Sequence, residues 1–384
     1  MNDDTGGVVE PRSGTEQMPW MMREMIEDPA NFERVMNPNN GIILDAVVSG
    51  DVDGVREVLA NGPLMELIDV ETRWEDKMTV LHLAAALDHP DIVQALVEGG
   101  LSVEAKALEG MTPLLVAAVN DRRAAVERLL DLHANIEAVD IEQGASALNF
   151  AAFYGYNELA RLLLGRGANP NHMNYLGTPP LQTAVAQGNI DLVRTLLDNG
   201  ARTSLCSGGL TLVFIASQEG HADIVRLLVE HGADPNARRP AEFDYFGPLH
   251  AAVRGGHGAV LDALAAAGAD LNLGATHGVT PLIIASAERK PAMAEALIRL
   301  GADPDRPDAE GWRPLDYAKR NNDSEMARVL TNTPRGTAVA SAAQSVAAAG
   351  WFEDPTGRHG HRYWDGAKWT HFVADAGVQS EDPI

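Results

Sequence analysis

The run Arg358-His359-Gly360-His361-Arg362 places two imidazoles between two guanidiniums, a grouping whose chemistry would be metal ligation or phosphate binding. Two histidines supply half of a tetrahedral site, and no third ligand stands at an obvious spacing. The run therefore reads as a solvated hairpin arm. His82 and His250 each follow a leucine that recurs along the chain, and His221 and His257 each follow a glycine. The acid pairs Asp3-Asp4 and Asp303/Asp305 have no base, nucleophile or cofactor loop near them in pattern. A phosphate-cradling Gly-Lys-Ser/Thr, a Gly-x-Ser-x-Gly elbow and a His-Glu-x-x-His pair are all missing from the sequence. Cys206 is the single cysteine, so neither an intramolecular disulfide nor a cysteine metal cluster can form. The expectation is a chain with no catalytic, cofactor-binding or metal residues.

The elements around these residues recur. Leu81, Leu114, Leu148, Leu181, Leu249, Leu282 and Leu315, with Val213 in the sixth slot, are separated by 33, 34, 33, 32, 36, 33 and 33 residues. A period in this range marks one supersecondary unit stacked on itself, here about nine times. In Gly110-Met-Thr112-Pro113-Leu114 and Gly278-Val-Thr280-Pro281-Leu282, the threonine hydroxyl suits a helix N-cap and the proline the first helical position. Small residues such as Ala84-Ala85-Ala86 follow. A second helix begins near Gly188-Asn189 or Gly220-His221, with apolar residues at helical spacing: Leu192, Val193, Leu196 and Leu197, or Ile224, Val225, Leu227 and Leu228. Gly-Ala pairs such as Gly200-Ala201 and Gly232-Ala233 end it, the glycine suiting a left-handed C-cap.

Helix, helix, C-cap glycine and turn in 33 residues resembles the ankyrin repeat, over roughly residues 38–331. The resemblance implies an all-α solenoid of stacked helix-loop-helix units, with hairpin-like loops at right angles and a concave side of loop tips and first helices. It also implies that His82, His250, His221 and His257 are structural. Asp88, Asp121 and Arg289 stand where the inter-helix turn usually has glycine, which leaves the turn geometry open there. Asn40 to Leu59 and Trp312 to Leu330 read as caps, since terminal repeats need a wet outer face.

Binding positions carried over from the family fall on Phe153, Tyr154 and Tyr175. The loop after the sixth repeat is longer by three residues and reads Arg238-Arg239-Pro240-Ala241-Glu242-Phe243-Asp244-Tyr245-Phe246. Two arginines and three aromatics, in a chain only 5% aromatic, suit an interface anchor. The competing reading packs Phe243 and Phe246 over the neighbouring repeat as core. Phe150 is expected in the core.

The ends differ from the stack. Residues 1–36 hold six of the 12 methionines, and Trp20 to Ile26 suits a short amphipathic helix lidding the first repeat. Residues 332–349 read as a linker. Residues 350–374 carry Gly350-Trp351-Phe352-Glu353-Asp354-Pro355 and Arg362-Tyr363-Trp364-Asp365-Gly366-Ala367-Lys368-Trp369-Thr370, with Asp365-Gly366 a hairpin signal. This closely resembles a short domain of unknown function common in actinobacterial proteins. It predicts a small aromatic β-hairpin module of two or three strands, followed by an unstructured tail over 375–384.

A net charge of −24 repels phosphate backbones and anionic lipid. The partner expected is therefore a protein, with no nucleic acid, no small-molecule cofactor, and membrane contact only indirectly. The chain is expected to be a monomeric, cytoplasmic bacterial adaptor. The alternative is an acidic regulator or inhibitor of a partner enzyme by polyanion mimicry.

Overall fold

The computed structural model describes residues 38–60, 78–204, 206–240, 244–332, 350–353, 361–364, 369–375 and 378–381. The methionine-rich segment over 20–26, Phe243 and linker residues 333–349 lie outside them. The chain divides into two units, Met1–Leu330 and Thr331–Ile384.

The first unit is helical. Among the described residues its helices run α1 Pro38–Ser49, α2 Val52–Ala60, α3 Val80–Ala86, α4 Pro90–Glu98, α5 Pro113–Val119 and α6 Arg123–Asp131. They continue as α7 Ala147–Tyr154, α8 Asn157–Gly165, α9 Pro180–Ala186, α10 Ile190–Asp198, α11 Leu212–Gln218 and α12 Ala222–Glu230. The last six are α13 Pro248–Gly255, α14 Gly258–Ala266, α15 Pro281–Ala287, α16 Pro291–Leu300, α17 Pro314–Arg320 and α18 Ser324–Thr331. Odd-numbered helices pack against odd-numbered neighbours and even against even, so the stack is two parallel rows of short helices. None of these helices is long and apolar enough to cross a membrane.

The same local rules start and stop each helix. The Thr112, Thr211 and Thr280 hydroxyls accept the backbone N–H three residues on, at 3.3, 3.2 and 3.2 Å. At the far end of the second helices, Gly167, Gly200, Gly232 and Gly268 take positive φ. The alanine that follows each of them donates its N–H to a carbonyl five residues back, as Ala201 does to Leu196 at 2.9 Å and Ala233 to Leu228 at 3.0 Å. His133 holds the same left-handed place after α6 with φ 66°.

The core runs the length of this unit. Leu81, Leu114, Leu148, Leu163, Leu196, Leu228 and Leu261 belong to one cluster of buried residues. Alanines such as Ala84, Ala117, Ala152, Ala184, Ala216 and Ala252 are fully buried where odd helices meet, because small side chains allow close approach. Phe150 is half-buried and packs against this core. In the last pair only Pro314, Ala318, Met326 and Leu330 are buried, which leaves the outer face polar.

The inter-helix turns keep one geometry whatever residue holds them. Asp88, Asp121 and Arg289 take φ of 61°, 52° and 57°, beside 72° at Gly188 and 84° at Gly220. Asp88 is used twice over, since its Oδ1 also accepts the N–H of Ala125 in the first turn of α6 at 2.8 Å. Asp121 has no such role. Burial pushes its carboxyl up, Arg123 and Arg122 offset this in part, and Oδ1 lies 3.7 Å from Arg123 Nε with no hydrogen-bond partner. Asp121→Gly is therefore expected to stabilise the helical unit by about 1 kcal/mol in urea unfolding, by removing a left-handed L-residue and a poorly solvated carboxylate. Unchanged or lower stability would show that the ion pair with Arg123 matters more.

In the second unit β1 Gly350–Glu353, β2 His361–Trp364, β3 Trp369–Asp375 and β4 Val378–Glu381 form one antiparallel sheet in chain order. Trp351 faces Tyr363 in register, and Trp364 faces Trp369. The sequence pattern predicts two or three strands and an unstructured tail, and β4 corrects this. Val378 pairs opposite Asp375 and supplies the ladder that an open edge of β3 would otherwise lack. Gln379-Ser380-Glu381 has none of the aromatic or β-branched enrichment that marks a strand in sequence.

Candidate functional site

The histidines are spent on holding repeats together. His82 Nδ1 accepts the Thr79 N–H at 3.1 Å, and Nε2 lies 3.0 Å from the carbonyl of Met111 in the next loop. His250 repeats this with Gly247 N–H at 3.1 Å and the Val279 carbonyl at 3.0 Å. Both rings are fully buried. Burial lowers both pKa values to about 4, against smaller opposing effects of their carbonyl partners. Each ring is thus a neutral imidazole with its proton on Nε2. Asn149 does the same work in α7, accepting from Ser146 N–H at 3.1 Å and donating to the His172 carbonyl at 3.3 Å. That asparagine is not recognisable from sequence as a counterpart of histidine.

The residues opening several second helices reach back instead. Arg122 Nε donates to the Ala86 carbonyl at 2.8 Å, His257 Nε2 lies 2.9 Å from that of Gln218, and Lys290 Nζ donates to that of Val253 at 3.2 Å. Gly220 is required by this contact, since a Cβ there would stand 2.7 Å from the His257 ring, besides its φ of 84°. Cys206 is half-buried and burial pushes its thiol up to about 11, which removes it as a nucleophile near neutral pH. No group of three or more metal-ligating side chains comes together among the described residues.

Successive loops are strapped by side chains. Glu104 accepts the N–H of Asn135 at 2.6 Å, Glu137 that of Asn169 at 2.7 Å, and Asn171 that of Arg202 at 2.8 Å. Asn236 and Asn272 do the same for Asp270 and Asp303, at 2.7 and 2.8 Å. The loop tips are tied further out, Ile141 N–H to Glu109 carbonyl at 2.6 Å and Tyr175 N–H to Gln143 carbonyl at 2.7 Å. These straps hold the tips in a fixed row.

On that row the structure leaves large apolar side chains in solvent. Ile141 is 66% exposed, Tyr175 68% and Leu176 80%. The Tyr175 ring lies over Gly144, and Ile141 lies over Gly110. At the end of α7, Phe153 is 61% exposed and meets Tyr154 edge-on at 5.1 Å, while Tyr154 stacks on Tyr156 at 5.4 Å. Sequence reasoning names Phe153, Tyr154 and Tyr175 but misses Ile141 and Leu176. A signal existed: Leu176 precedes the loop glycine, where Glu109, Gln143, His277 and Glu310 are polar in other repeats.

The long loop forms a second feature. Arg239 N–H donates to the Phe246 carbonyl at 3.0 Å, which closes the loop on itself. Tyr245 is exposed, and Arg238 Nη1 donates to the Gly274 carbonyl at 3.1 Å. Phe246 is half-buried and packs against the core, so its share in packing is real. Its ring also faces a cavity of about 300 Å³, lined by Phe214, Gln218, Arg239, Phe246, Ala251, Arg254 and Gly255. Arg239 lies over the Phe214 ring at 5.1 Å and Arg254 over the Phe246 ring at 5.4 Å. Phe214 and Arg254 read as ordinary helix residues in sequence.

Paired short helices in two rows, tied loops and an apolar row of tips define a helical repeat solenoid. The chain belongs to the ankyrin repeat family. Ankyrin-repeat models match residues 43–140, 143–239 and 247–340, and a model of a protein of unknown function (DUF2510) matches 349–382. The chain is 34% identical over 266 residues to the ankyrin repeat and KH domain-containing protein mask-1 of Caenorhabditis elegans, covering 68% of this chain and 10% of that one. It is 34% identical over 169 residues to the B-cell lymphoma 3 protein homolog of Mus musculus, covering 42% of this chain and 38% of the relative. The chain thus spans well under two thirds of these relatives. Among solved structures, the ankyrin repeat domain of Bcl-3 is similar with a TM-score of 0.52 and 27% identity, over 58% of this chain and 97% of that domain. The human ASB11 ankyrin repeat domain gives 0.51 and 26%, over 59% and 100%.

Proposed function

We propose that this chain is a non-enzymatic adaptor whose nine ankyrin repeats capture a protein partner along the loop tips and first helices. The second unit, with its small aromatic sheet, makes a separate contact that raises effective concentration at a shared target. The observation that carries this reading is the exposed row Ile141, Tyr175 and Leu176, with Phe153 on α7. Burying such side chains at an interface is favourable at roughly 25 cal/mol per Å². They stand on strapped loops, so little ordering cost remains on binding. A net charge of −24 favours a protein over a nucleic acid as the partner. A single half-buried cysteine suits a reducing cytoplasm.

The test is affinity capture with the full chain and with a Tyr175→Ser/Leu176→Ser variant, read by quantitative mass spectrometry. Both side chains are largely in solvent, so the fold is expected to survive. Proteins held by the wild type are expected to drop at least tenfold on the variant, which is about 1.4 kcal/mol. An unchanged set of captured proteins would remove the tips from the binding surface.

A further inference from the structure

We propose that the apolar row of loop tips receives a partner segment in which an arginine stands beside apolar residues, the arginine drawn to the Glu109 and Glu142 carboxylates and the Tyr175 ring. The inference rests on the adaptor reading and adds the chemistry that the partner must present.

The tip straps fix which residues are neighbours. Ile141 N–H donates to the Glu109 carbonyl at 2.6 Å, which sets Glu109 beside Ile141. Tyr175 N–H donates to the Gln143 carbonyl at 2.7 Å, one residue from Glu142. Glu142 therefore stands between two large exposed side chains, Ile141 and Tyr175, with Leu176 next along the chain. Glu109 and Glu142 are themselves exposed, and among the described residues neither carboxylate meets a cation or a hydrogen-bond donor. The other carboxylates of these loops are used within the fold. Glu104 and Glu137 accept the amides of Asn135 and Asn169, and Asp140 accepts those of Gln143 and Ala145 at 2.9 and 2.6 Å.

The local charge points the same way. The loops over 99–112, 133–146, 167–179 and 200–211 hold Glu104, Glu109, Glu137, Asp140 and Glu142 against Lys106 and Arg202. The first helices α5, α7, α9 and α11 hold no charged residue. Arginines of the adjoining second helices are already paired, Arg123 with Asp121, Arg128 with Asp91, Arg161 with Glu158, and Arg166 with Glu127 and Asp131. A wholly apolar segment laid over Ile141 and Tyr175 would take Glu142 out of water with nothing to pair it, which is costly. One base in the segment removes that cost, and an acid there would be repelled. Arginine suits the place better than lysine, because a planar guanidinium meets a carboxylate by its edge and an aromatic ring by its face. The Tyr175 ring offers such a face, since it lies over Gly144 and the side chain is still largely in solvent.

The test is a selection of random-sequence peptides displayed on phage against the immobilised full chain. Synthetic copies of the selected peptides are then titrated into the wild type, Glu109→Gln/Glu142→Gln and Tyr175→Ser/Leu176→Ser. The two glutamates are exposed and the strap uses only the Glu109 backbone, so the amide variant is expected to fold and to match the wild type in circular dichroism. The expected result is a set of peptides with Arg at one constant position beside apolar residues, all weakened by Tyr175→Ser/Leu176→Ser. They should bind Glu109→Gln/Glu142→Gln at least tenfold more weakly, and Arg-to-Gln copies should lose a similar factor on the wild type but little further on that variant. Peptides that need Tyr175 and Leu176 but carry no constant base, or bind the amide variant equally, would overturn this inference and leave the adaptor reading standing. Peptides indifferent to Tyr175 and Leu176, or no specific peptide at all, would count against both.

Discussion

Leu228→Asp is expected to uncouple the helical unit at α12 and to cost roughly 4 kcal/mol or more. Leu228 is fully buried within the continuous core, and α12 packs against α10, α11 and α14. The substitution removes an aliphatic side chain that nothing else can replace and puts an unpaired carboxylate where it cannot be solvated. In a stack, stability is the sum of unit and nearest-neighbour contributions, so the damage stays local. Hydrogen exchange should show α10, α12 and α14 losing protection while α3 to α7 keep theirs. A uniform loss over the whole unit would mean one global cooperative fold instead of a chain of junctions. Leu228→Met, which keeps the volume, should change little.

The second large effect is on pH. His82 and His250 have pKa values near 4 in the folded chain, against an ordinary value of 6.5. Above pH 6.5 both states leave these rings neutral, and their contribution to stability is complete. Between 6.5 and 4 the unfolded chain binds protons that the folded chain refuses, so stability falls as the pH falls, by up to ~1.4 kcal/mol per unit for each ring. Below about 4 both states are protonated and this loss ends. At pH 5 it amounts to roughly 2 kcal/mol per histidine. The asparagine in α7 suggests the control, because Asn149 makes the same pair of hydrogen bonds without titrating. His250→Asn should therefore show a smaller drop in urea midpoint between pH 7.5 and 5.0 than the wild type. Equal drops would place the acid sensitivity elsewhere.

Much of the helical unit is legible in the sequence because its signals are local. A threonine cap, a proline beside it and a glycine stop act within a few residues, and Thr112, Thr280 and Gly232 do in the structure what their types imply. What escaped depends on partners one repeat away. Asp88 stands in for glycine in its own turn but caps α6, 37 residues on. The hydrogen bonds of His82 and His250 pass to Asn149 in a third repeat, and no single-residue pattern links those types. The proposed binding surface divides in the same manner. Tyr175 announces itself as an aromatic in a loop, and Phe153 as one at a helix end. The cavity does not, because Phe214 and Arg254 lie 40 residues apart and come to line it only once α11 packs against α13.

The loop straps have a bearing on how long such a chain needs to be. Glu104 and Glu137 offer the same acceptor to the same backbone amide of the following unit, and they lie 33 residues apart. Excising residues 105–137 would bring Glu104 to the amide of Asn169, a joint of the kind Glu137 makes now. Duplication or loss of one whole unit therefore regenerates its own fastening. Extent along the array is free to drift in evolution, and a loop can lengthen between two fastenings, as the one between Asn236 and Asp270 does, without undoing either.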